Sequence, residues 1–393
     1  MAGLQDILNQ VSLLTCFQGF ILASALFFIK KGDSILNKIL AVFLICFSWS
    51  GIYNTLDFMG YYGKYPAIMY THFIADFISS PLLYLYVFRL TNKDFKIQRK
   101  TILHFIPALL VMMYYANYFV ASLSTKEAII QKGYNYFPYD VTVLSYLDII
   151  YYMMCILISA FRLQRYKKQV IDFYSDQNKR NHQWLTIILI ANMIAAILCF
   201  FLFGTGQQVF AQLIVVCSSF MIYAIGYKML ASPPILPDFI TEPLIHPEYN
   251  KIEKPVEVLE NKYERSGLSQ ERSEKIAEKI LGYMQENKPY INPEINLKEL
   301  AAELHIATHH LSQVINQIFK KNFYDFINEY RVAEVKLKLQ DTKYQNYTLL
   351  AIGLESGFNS KATFNSVFKK ITGQSPSEFK NTIHNSAGIY SRS

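Results

Sequence analysis

The sequence has few charged residues and few cysteines for its length, and each shortage excludes some protein classes. Only 17% of its 393 residues are charged, while 52% are hydrophobic and 15% aromatic. This composition excludes a disordered or collagen-like chain. The five cysteines form no CxxC pair and lie in apolar runs, so we predict small buried hydrophobes and neither a disulfide framework nor a zinc site. They are Cys16, Cys46, Cys155, Cys199 and Cys217.

Enzyme signatures are also absent from the sequence. It contains no GxSxG, Walker, HExxH or kinase motif, each of which places reactive groups at a fixed spacing. We therefore predict that the chain is not an enzyme and that it uses no cofactor and no metal.

Charge divides the chain into two parts with different chemistry. Residues 1–231 carry 18 Lys and Arg against 10 Asp and Glu, whereas residues 232–393 carry 20 of each. A chain of this length has room for two or three domains. We therefore analyse the two parts separately.

The first part contains seven apolar segments long enough to cross a bilayer. A membrane helix needs about 20 mainly apolar residues, because every backbone polar group must be satisfied inside roughly 30 Å of hydrocarbon. The predicted spans are Val11 to Ile29, Ile35 to Leu56, Tyr65 to Leu90, Thr101 to Ala121, Val141 to Leu163, Trp184 to Phe203 and Gln208 to Leu230. These residues predict a seven-helix membrane bundle.

Basic residues in the short connections predict the orientation of the bundle. Counted with the span ends beside them, the first, third and fifth connections hold 14 Lys and Arg, and the second, fourth and sixth hold 3. Basic residues are retained on the cytoplasmic side. The amino terminus is therefore predicted to be outside, and the carboxyl half cytoplasmic.

Four ionisable residues fall inside or near the outer ends of these spans. His72 and Asp76 are four residues apart and share a helix face, while Asp57 and Asp148 lie at comparable depth. Ionisable groups are expensive in lipid. They predict a pocket, open to the outside, for a small molecule or a proton. Hydrogen bonding between helices, without any ligand, is an equally open interpretation.

A proline-rich, acidic stretch separates the two parts. Six prolines lie between residues 232 and 267, and residues 232–295 carry 8 basic against 12 acidic side chains. Helix cannot continue through that density of proline. We predict a semi-extended linker over residues 232–267.

The last hundred residues contain two helix-turn-helix patterns in tandem. The second helix of each has a predicted buried stripe: Leu311, Val314, Ile315 and Ile318 in the first, and Phe364, Val367, Phe368 and Ile371 in the second. Two short helices joined by a tight turn present the second one to a major groove. The predicted DNA-facing residues are His309, His310, Ser312, Gln313 and Asn316, then Lys361, Thr363, Asn365, Ser366 and Lys369.

These residues resemble a known family. LKELAAELHIATHHLSQVIN, the helix FYDFINEYRVAEVKLKL and LLAIGLESGFNSKATFNSVFKKITGQSPSEFK are similar to the AraC/XylS class of bacterial transcription regulators, from about Leu268 to Lys380. The resemblance implies two helix-turn-helix units joined by one helix, with recognition helices in successive major-groove segments.

Three positions depart from the family pattern. Ala307 replaces a capping Ser, so Thr308 is expected to cap the first recognition helix. Lys320 replaces a Gly, which suggests a different turn, and Gly353 replaces an Ala. An interior glycine costs a helix about 1 kcal/mol.

Together these patterns predict an all-α protein in three parts: a seven-helix sensor over residues 1–231, a linker over 232–267 and an AraC-type domain over 268–393. The expected function is a one-component transcription regulator in the bacterial cytoplasmic membrane. Its expected partners are promoter DNA, the lipid bilayer, RNA polymerase, a second copy of the chain, and a small-molecule or proton signal. The alternative is a transporter or membrane enzyme with an autoregulatory DNA-binding tail.

Overall fold

The computed structural model describes residues 2–61, 64–92, 95, 99–131, 138–176, 183–202, 208–231 and 268–390. Within these ranges every regular element is a helix, and the one extended pairing is an isolated antiparallel bridge between Tyr174 and Asn296. The predicted all-α fold is confirmed. The predicted linker over residues 232–267 lies outside the described residues.

The chain divides into two compact units, and neither is one continuous stretch of sequence. The first contains residues 1–166 and 182–240, and the second contains residues 167–181 and 241–393. The second unit is therefore built from two separate stretches of chain.

The first unit contains the apolar helices. Among the residues that the structure describes, five helical stretches are long and apolar enough to cross a membrane: Gln5–Phe28, Ser34–Phe58, Pro66–Leu90, Val141–Phe173 and Gln183–Leu202. A further helix, Gln208–Ala231, covers the predicted seventh span. The helix that contains the predicted fifth span runs from Pro138 to Phe173, well beyond the predicted end at Leu163.

The predicted fourth span, Thr101 to Ala121, is not one continuous helix. It consists of Arg99–Ile102, a 3-10 turn at Leu103–Phe105, then Ile106–Tyr114 and Ala116–Val120. Pro107 occupies the first turn of Ile106–Tyr114. This helix ends at Tyr114, and the next helix begins at Ala116, after Tyr115. Proline supplies no backbone N–H to a preceding turn, so a helix starts at it more readily than it continues through it.

Small residues allow neighbouring helices of this unit to approach closely. Helix Ala2–Phe28 packs on Ser34–Phe58 and on Gln208–Ala231. A Cβ added to Gly19 would lie 2.0 Å from Ser48 Oγ, which itself hydrogen-bonds the Tyr223 hydroxyl at 3.0 Å. Close backbone approach and polar contacts between helices are typical of membrane bundles.

The second unit holds a set of shorter helices with strong caps. Its main helices are Gln270–Glu286, Leu297–Glu303, Thr308–Gln317, Phe323–Gln340, Leu349–Glu355, Lys361–Thr372 and Pro376–Tyr390. The side chains of Ser269, Asn296, Asn322, Thr348 and Ser360 each accept a backbone N–H at a helix start. Such caps satisfy donors that a helix leaves unpaired and so set where each helix begins.

The last helix starts with a reciprocal capping box. Glu378 Oε2 accepts the Ser375 N–H at 2.7 Å, and Ser375 Oγ accepts the Glu378 N–H at 3.3 Å. The backbone donor lowers the pKa of Glu378, because it stabilises the charged carboxylate. Ser375 and Glu378 thus fix the start of the last helix, with Pro376 at its first position.

Two apolar clusters form the core of this unit. The first surrounds the first helix-turn-helix pair, with Ile280, Leu300, Leu311 and Phe326 fully buried. The second surrounds the second pair and contains Val335, Ile352, Phe358, Phe364 and Phe368. The helix Phe323–Gln340, which we call the linking helix, contributes to both clusters and so joins the two pairs.

Candidate DNA-binding surface and signal residues

The first helix-turn-helix pair is closed by a residue in the left-handed conformation. After Leu297–Glu303, His305 has φ +51°, and the Ile306 N–H reaches back to the Ala301 carbonyl at 2.9 Å. This six-to-one bond is a Schellman motif, which ends a helix sharply. The first recognition helix then runs over Thr308–Gln317.

The second pair uses the same device with a glycine. Gly357 has φ +95°, and the Phe358 N–H donates to the Gly353 carbonyl at 3.1 Å. The second recognition helix follows over Lys361–Thr372, with Ser360 Oγ accepting the Thr363 N–H at 3.2 Å. The two pairs therefore share one turn geometry.

Two of the sequence-based expectations at these turns are wrong. The first recognition helix has Ala307 at its N-cap with no side-chain cap bond, and Thr308 is its first helical residue instead of its cap. Lys320 does not form a different kind of turn: it adopts φ +55°, the conformation that a glycine would take there. The Lys321 N–H donates to the carbonyl of Ile315, six residues earlier, at 3.3 Å.

Matching apolar stripes seat the two recognition helices on the core. Leu311, Val314 and Ile315 are buried in the first, and Phe364, Val367 and Phe368 in the second. The predicted burial of Ile318 and Ile371 is wrong, since they are 39% and 38% exposed. Ile318 is the residue after the first recognition helix, and Ile371 lies in the last turn of the second. At these helix ends the side chains are no longer covered by the core.

Most of the predicted DNA-facing side chains lie on the outer faces of these helices. His309 and Asn316 are exposed on the first, where His310, Ser312 and Gln313 are half-buried. Lys361, Asn365, Ser366 and Lys369 are exposed on the second, where Thr363 is half-buried. Sequence spacing therefore identified the outer faces, while the half-buried residues sit at their edges.

Local contacts fix the orientation of Asn316 and favour the neutral form of His310. Asn316 Nδ2 donates to the Ser312 carbonyl at 2.9 Å, which holds the amide along its helix. Partial burial, with a smaller contribution from the neighbouring His309, lowers the pKa of His310. A neutral imidazole has one donor and one acceptor, so His310 suits hydrogen bonding to a base edge or to a phosphate-bound water.

Basic residues near the two helices differ in whether they are already paired. Lys370 Nζ lies 2.7 Å from Asp325 Oδ1, and Lys321 pairs with Glu329. Within the described part of the chain, Lys361 and Lys369 form no salt bridge. Lysines on an exposed face can neutralise phosphate without first breaking an ion pair.

The linking helix carries a buried arginine that the sequence analysis did not identify. Arg331 is 1% exposed and donates to the carbonyls of Tyr290 at 2.8 Å and Asn292 at 2.9 Å. Burial lowers its pKa to about 10, so it stays charged at neutral pH. Its place between Ile327 and Val335, on the buried face at four-residue spacing, is the signal that sequence reasoning could have used.

Two of the four predicted signal residues, Asp76 and Asp148, lie near each other. Asp76 and Asp148 lie within electrostatic range of each other, and Ser50 lies near the Asp76 carboxylate. Asp148 Oδ1 is buried and has no hydrogen-bond partner among the described residues. A polar atom in that state is costly, so the pair of carboxyl groups is a candidate for binding a cation or a proton.

His72 and Asp57 both lie beside Tyr53. The His72 ring stacks on Tyr53 at 3.8 Å between centroids and is 9% exposed. Asp57 is exposed and borders a small surface pocket with Tyr53, Leu56, Tyr61, Tyr65 and Ile68. Tyr53, Tyr61 and Tyr65 thus form an aromatic patch beside Asp57, and Tyr53 also contacts His72. The described residues also contain no group of three or more His, Cys, Asp or Glu arranged for a metal ion.

Comparisons with known proteins match the carboxyl-terminal helices. Residues 300–382 match the family described as Helix-turn-helix domain. Over 91 residues the chain is 30% identical to uncharacterized HTH-type transcriptional regulators of Staphylococcus aureus strains COL and N315, covering 23% of this chain. The chain spans only 12% of the length of these relatives. The chain therefore carries a helix-turn-helix domain at its carboxyl end.

A solved structure gives a further match of the same extent. It is a protein of unknown function from Listeria innocua, 30% identical, with a TM-score of 0.24, covering 27% of this chain and 96% of that one.

Proposed function

We propose that the protein is a one-component transcription regulator that lies in the membrane and binds promoter DNA through both helix-turn-helix pairs. The observation that carries the proposal is the duplication itself. Two recognition helices of one unit have equivalent buried stripes and equivalent turns, and both present polar or basic side chains outward. A pair of such helices suits two successive major-groove segments about one helical turn apart.

The similarity to HTH-type transcriptional regulators supports the same conclusion. The matched residues include both recognition helices and the linking helix, so the likeness covers the parts that would meet DNA. RNA polymerase and a second copy of the chain belong to the proposal as partners, since a regulator acts at promoters and commonly binds repeated half-sites.

The five long apolar helical stretches found in the described parts of the chain support the placement in a membrane. The excess of basic residues in the odd-numbered connections supports an outside amino terminus and a cytoplasmic DNA-binding unit. In a bacterial cell this corresponds to the cytoplasmic membrane, where the chromosome is accessible to a cytoplasmic domain.

The buried carboxyl pair supports a sensing role. Asp76 and Asp148 come from helices far apart in sequence, and a ligand or proton that neutralises them would favour one helix arrangement over another. We propose this pair as the signal site, with a cation or proton as the stimulus.

The whole protein in lipid nanodiscs provides the test. It is incubated with a random pool of duplex DNA, and retained duplexes are amplified and sequenced. We expect enrichment of a site with two parts whose centres lie about 10 base pairs apart. The control is Lys361→Glu with Asn365→Glu, which places negative charge on the exposed face of the second recognition helix. No enrichment by the natural sequence relative to this variant would disprove DNA recognition through these helices.

A further inference from the structure

Four consecutive residues at the end of the long helix Pro138–Phe173 belong to the second unit and pack into its centre. We call residues 173–176 the tether segment. Phe173 packs against the core of the first helix-turn-helix pair, and the backbone of Tyr174 bridges to Asn296, the cap of its first helix. The tether segment therefore begins on the first pair.

Ser175 continues onto the linking helix. Its side chain donates to the Ile295 carbonyl at 2.7 Å, and its Oγ and its carbonyl accept from Arg331 at 3.0 and 3.2 Å. Ser175 is 1% exposed. The buried Arg331 guanidinium donates four hydrogen bonds within the described residues, and Ser175 accepts two of them.

Asp176 reaches the second pair. Asn359 Nδ2 donates to Asp176 Oδ2 at 2.7 Å and to the Pro293 carbonyl at 3.2 Å. Asn359 immediately precedes Ser360, the residue that caps the second recognition helix. In four residues the tether segment contacts the first pair, the linking helix and the start of the second recognition helix.

The second pair is also packed tightly at this junction. A Cβ added to Gly357 would lie 2.2 Å from the Tyr290 carbonyl oxygen and 2.9 Å from Arg331 Nε. Arg331 donates to that same carbonyl. Loss of the Ser175 acceptors would leave a buried cation short of partners next to this turn, and such a group destabilises its surroundings.

The docked tether segment leaves the DNA-facing residues accessible. His309, Asn316, Lys361 and Asn365 are exposed while all of the contacts above are present. The docked state is therefore compatible with DNA binding, which argues for a positioning role and against an inhibitory cover.

We propose that the tether segment is an intramolecular docking element that sets the placement of the second recognition helix relative to the first. The helix Pro138–Phe173 runs without a break from the apolar region into this segment. A rearrangement of that helix would therefore alter DNA binding through residues 173–176, in addition to any effect through the linker. This inference rests on the proposed function, since it assigns a route of regulation to the same DNA-binding surface.

The experiment uses the full chain in nanodiscs with the duplex selected above. The variants are Ser175→Ala, Asp176→Ala, Asn359→Ala and the double variant Asp176→Ala with Asn359→Ala. The matched control is Gln164→Ala, an exposed position on the same long helix. Hydrogen exchange of backbone amides in residues 357–364 reports docking, and affinity for the two-part duplex reports function.

We expect Ser175→Ala and Asp176→Ala each to speed amide exchange in residues 357–364. Each should also lower the affinity for the two-part duplex about tenfold, which is the size typical of losing a hydrogen bond to a charged group. The double variant should be no weaker than Asp176→Ala alone, because both changes remove one contact. A half-site duplex, bound through the first recognition helix only, should be held equally by all variants.

Unchanged exchange in Ser175→Ala and Asp176→Ala would overturn the docking. Faster exchange with unchanged affinity for the two-part duplex would overturn the positioning role and leave a purely structural contact. If the natural sequence itself selects no duplex, the proposed function fails separately, and the regulatory role of the tether segment fails with it, while the exchange data still decide the docking.

Discussion

The ring of Phe364 lies directly against Gly353. A Cβ added to this glycine would sit 2.9 Å from the Cδ1 and Cγ atoms of the ring, closer than side chains approach without a shift. The equivalent positions in the first pair are Ala301 and Leu311, both fully buried. Where the first pair has Ala301 against Leu311, the second pair therefore has a glycine without a side chain against the larger ring of Phe364.

We expect Gly353→Ala to lower the free energy of unfolding of the second unit. The added methyl recovers about 1 kcal/mol of helix propensity, but crowding in a packed core costs about 1–3 kcal/mol. The net loss should be about 1 kcal/mol on these figures. Hydrogen exchange of the slowest amides in residues 349–372 measures it in the full chain.

A second substitution distinguishes crowding from other causes. Phe364→Leu alone should destabilise through the cavity it leaves, whereas Phe364→Leu with Gly353→Ala restores the side-chain pair of the first helix-turn-helix pair. The double variant should therefore lose less unfolding free energy than the two single variants lose together. Simple additivity would argue against direct contact as the cause.

The helices and their apolar stripes could be predicted from sequence because they depend on local spacing. The linking helix starts at Phe323, the first residue of the FYDFINEYRVAEVKLKL string, and ends at Gln340, one residue beyond it. The pairing of Gly353 with Phe364 could not be predicted, because it depends on how two helices meet. Read alone, this glycine looked only like a weak helix residue.

Lys320 supports a prediction on backbone strain. Its φ of +55° costs a residue with a side chain about 1–2 kcal/mol relative to the right-handed region. Lys320→Gly should therefore stabilise the second unit, by about 0.5–1 kcal/mol after allowing for the greater freedom of glycine in the unfolded chain.

Gly373 provides the reverse substitution as a control. It has φ +78° and no atom within 4 Å of an added Cβ, so Gly373→Ala tests conformation without crowding. It should destabilise by about 1 kcal/mol. Chemical denaturation followed by exchange at residues 315–325 and 369–376 compares the two. A destabilised Lys320→Gly variant would show that the lysine side chain matters more than its backbone.

The candidate site was predictable in part for the same reason as the fold. Outward positions such as Lys361 and Asn365 follow from helical spacing and are exposed. The contacts of Ser175 and Asp176 join residues more than 100 positions apart, and neither residue belongs to a motif. Long-range hydrogen bonds produce no periodic pattern in a sequence, so only the structure could identify them.

Substitutions on the recognition helices should separate base contacts from phosphate contacts. We expect Gln313→Ala and Lys361→Ala each to weaken binding of the selected duplex by about 1–3 kcal/mol. If Lys361 contacts phosphate, its loss should also reduce the slope of affinity against salt by about one. Titrations at several salt concentrations measure both, with the exposed Lys275→Ala as control. Equal affinity of all three variants would show that other faces meet DNA.

The orientation of the chain can be tested by labelling. Lys126 is unsuitable as a reporter position, because its Nζ donates to the Phe119 carbonyl at 3.0 Å and the residue is 7% exposed. Ser124 and Lys168 are exposed. In a background without the five native cysteines, Ser124→Cys should react with an impermeant maleimide on intact spheroplasts, and Lys168→Cys only after lysis. Labelling of Lys168→Cys on intact cells would place the helix-turn-helix domain outside the cell.

A further prediction concerns the stability cost of the buried carboxyl pair. Asp148 is close enough to Asp76 for the two carboxylates to repel, and its Oδ1 has no partner among the described residues. An ionised aspartate at depth in a membrane costs about 2.5–3.5 kcal/mol. Asp148→Asn replaces a group that must either bury a charge or take up a proton by a neutral group of the same shape, so it should stabilise the purified protein by about 1–3 kcal/mol. Unfolding followed by tyrosine and tryptophan fluorescence in detergent measures this change.

The same substitution should disable sensing if the pair is the signal site. A ligand or proton acts only by favouring one of two arrangements, and the permanently neutral amide introduced by Asp148→Asn mimics the bound one. A reporter behind the selected site should therefore be held at a constant level by Asp148→Asn and Asp76→Asn, at normal protein abundance. Asp57→Asn is the control, because Asp57 is exposed at the edge of the aromatic patch. A reporter that responds normally in both buried variants, across every condition that changes the parent, would show that these two aspartates only hold helices together.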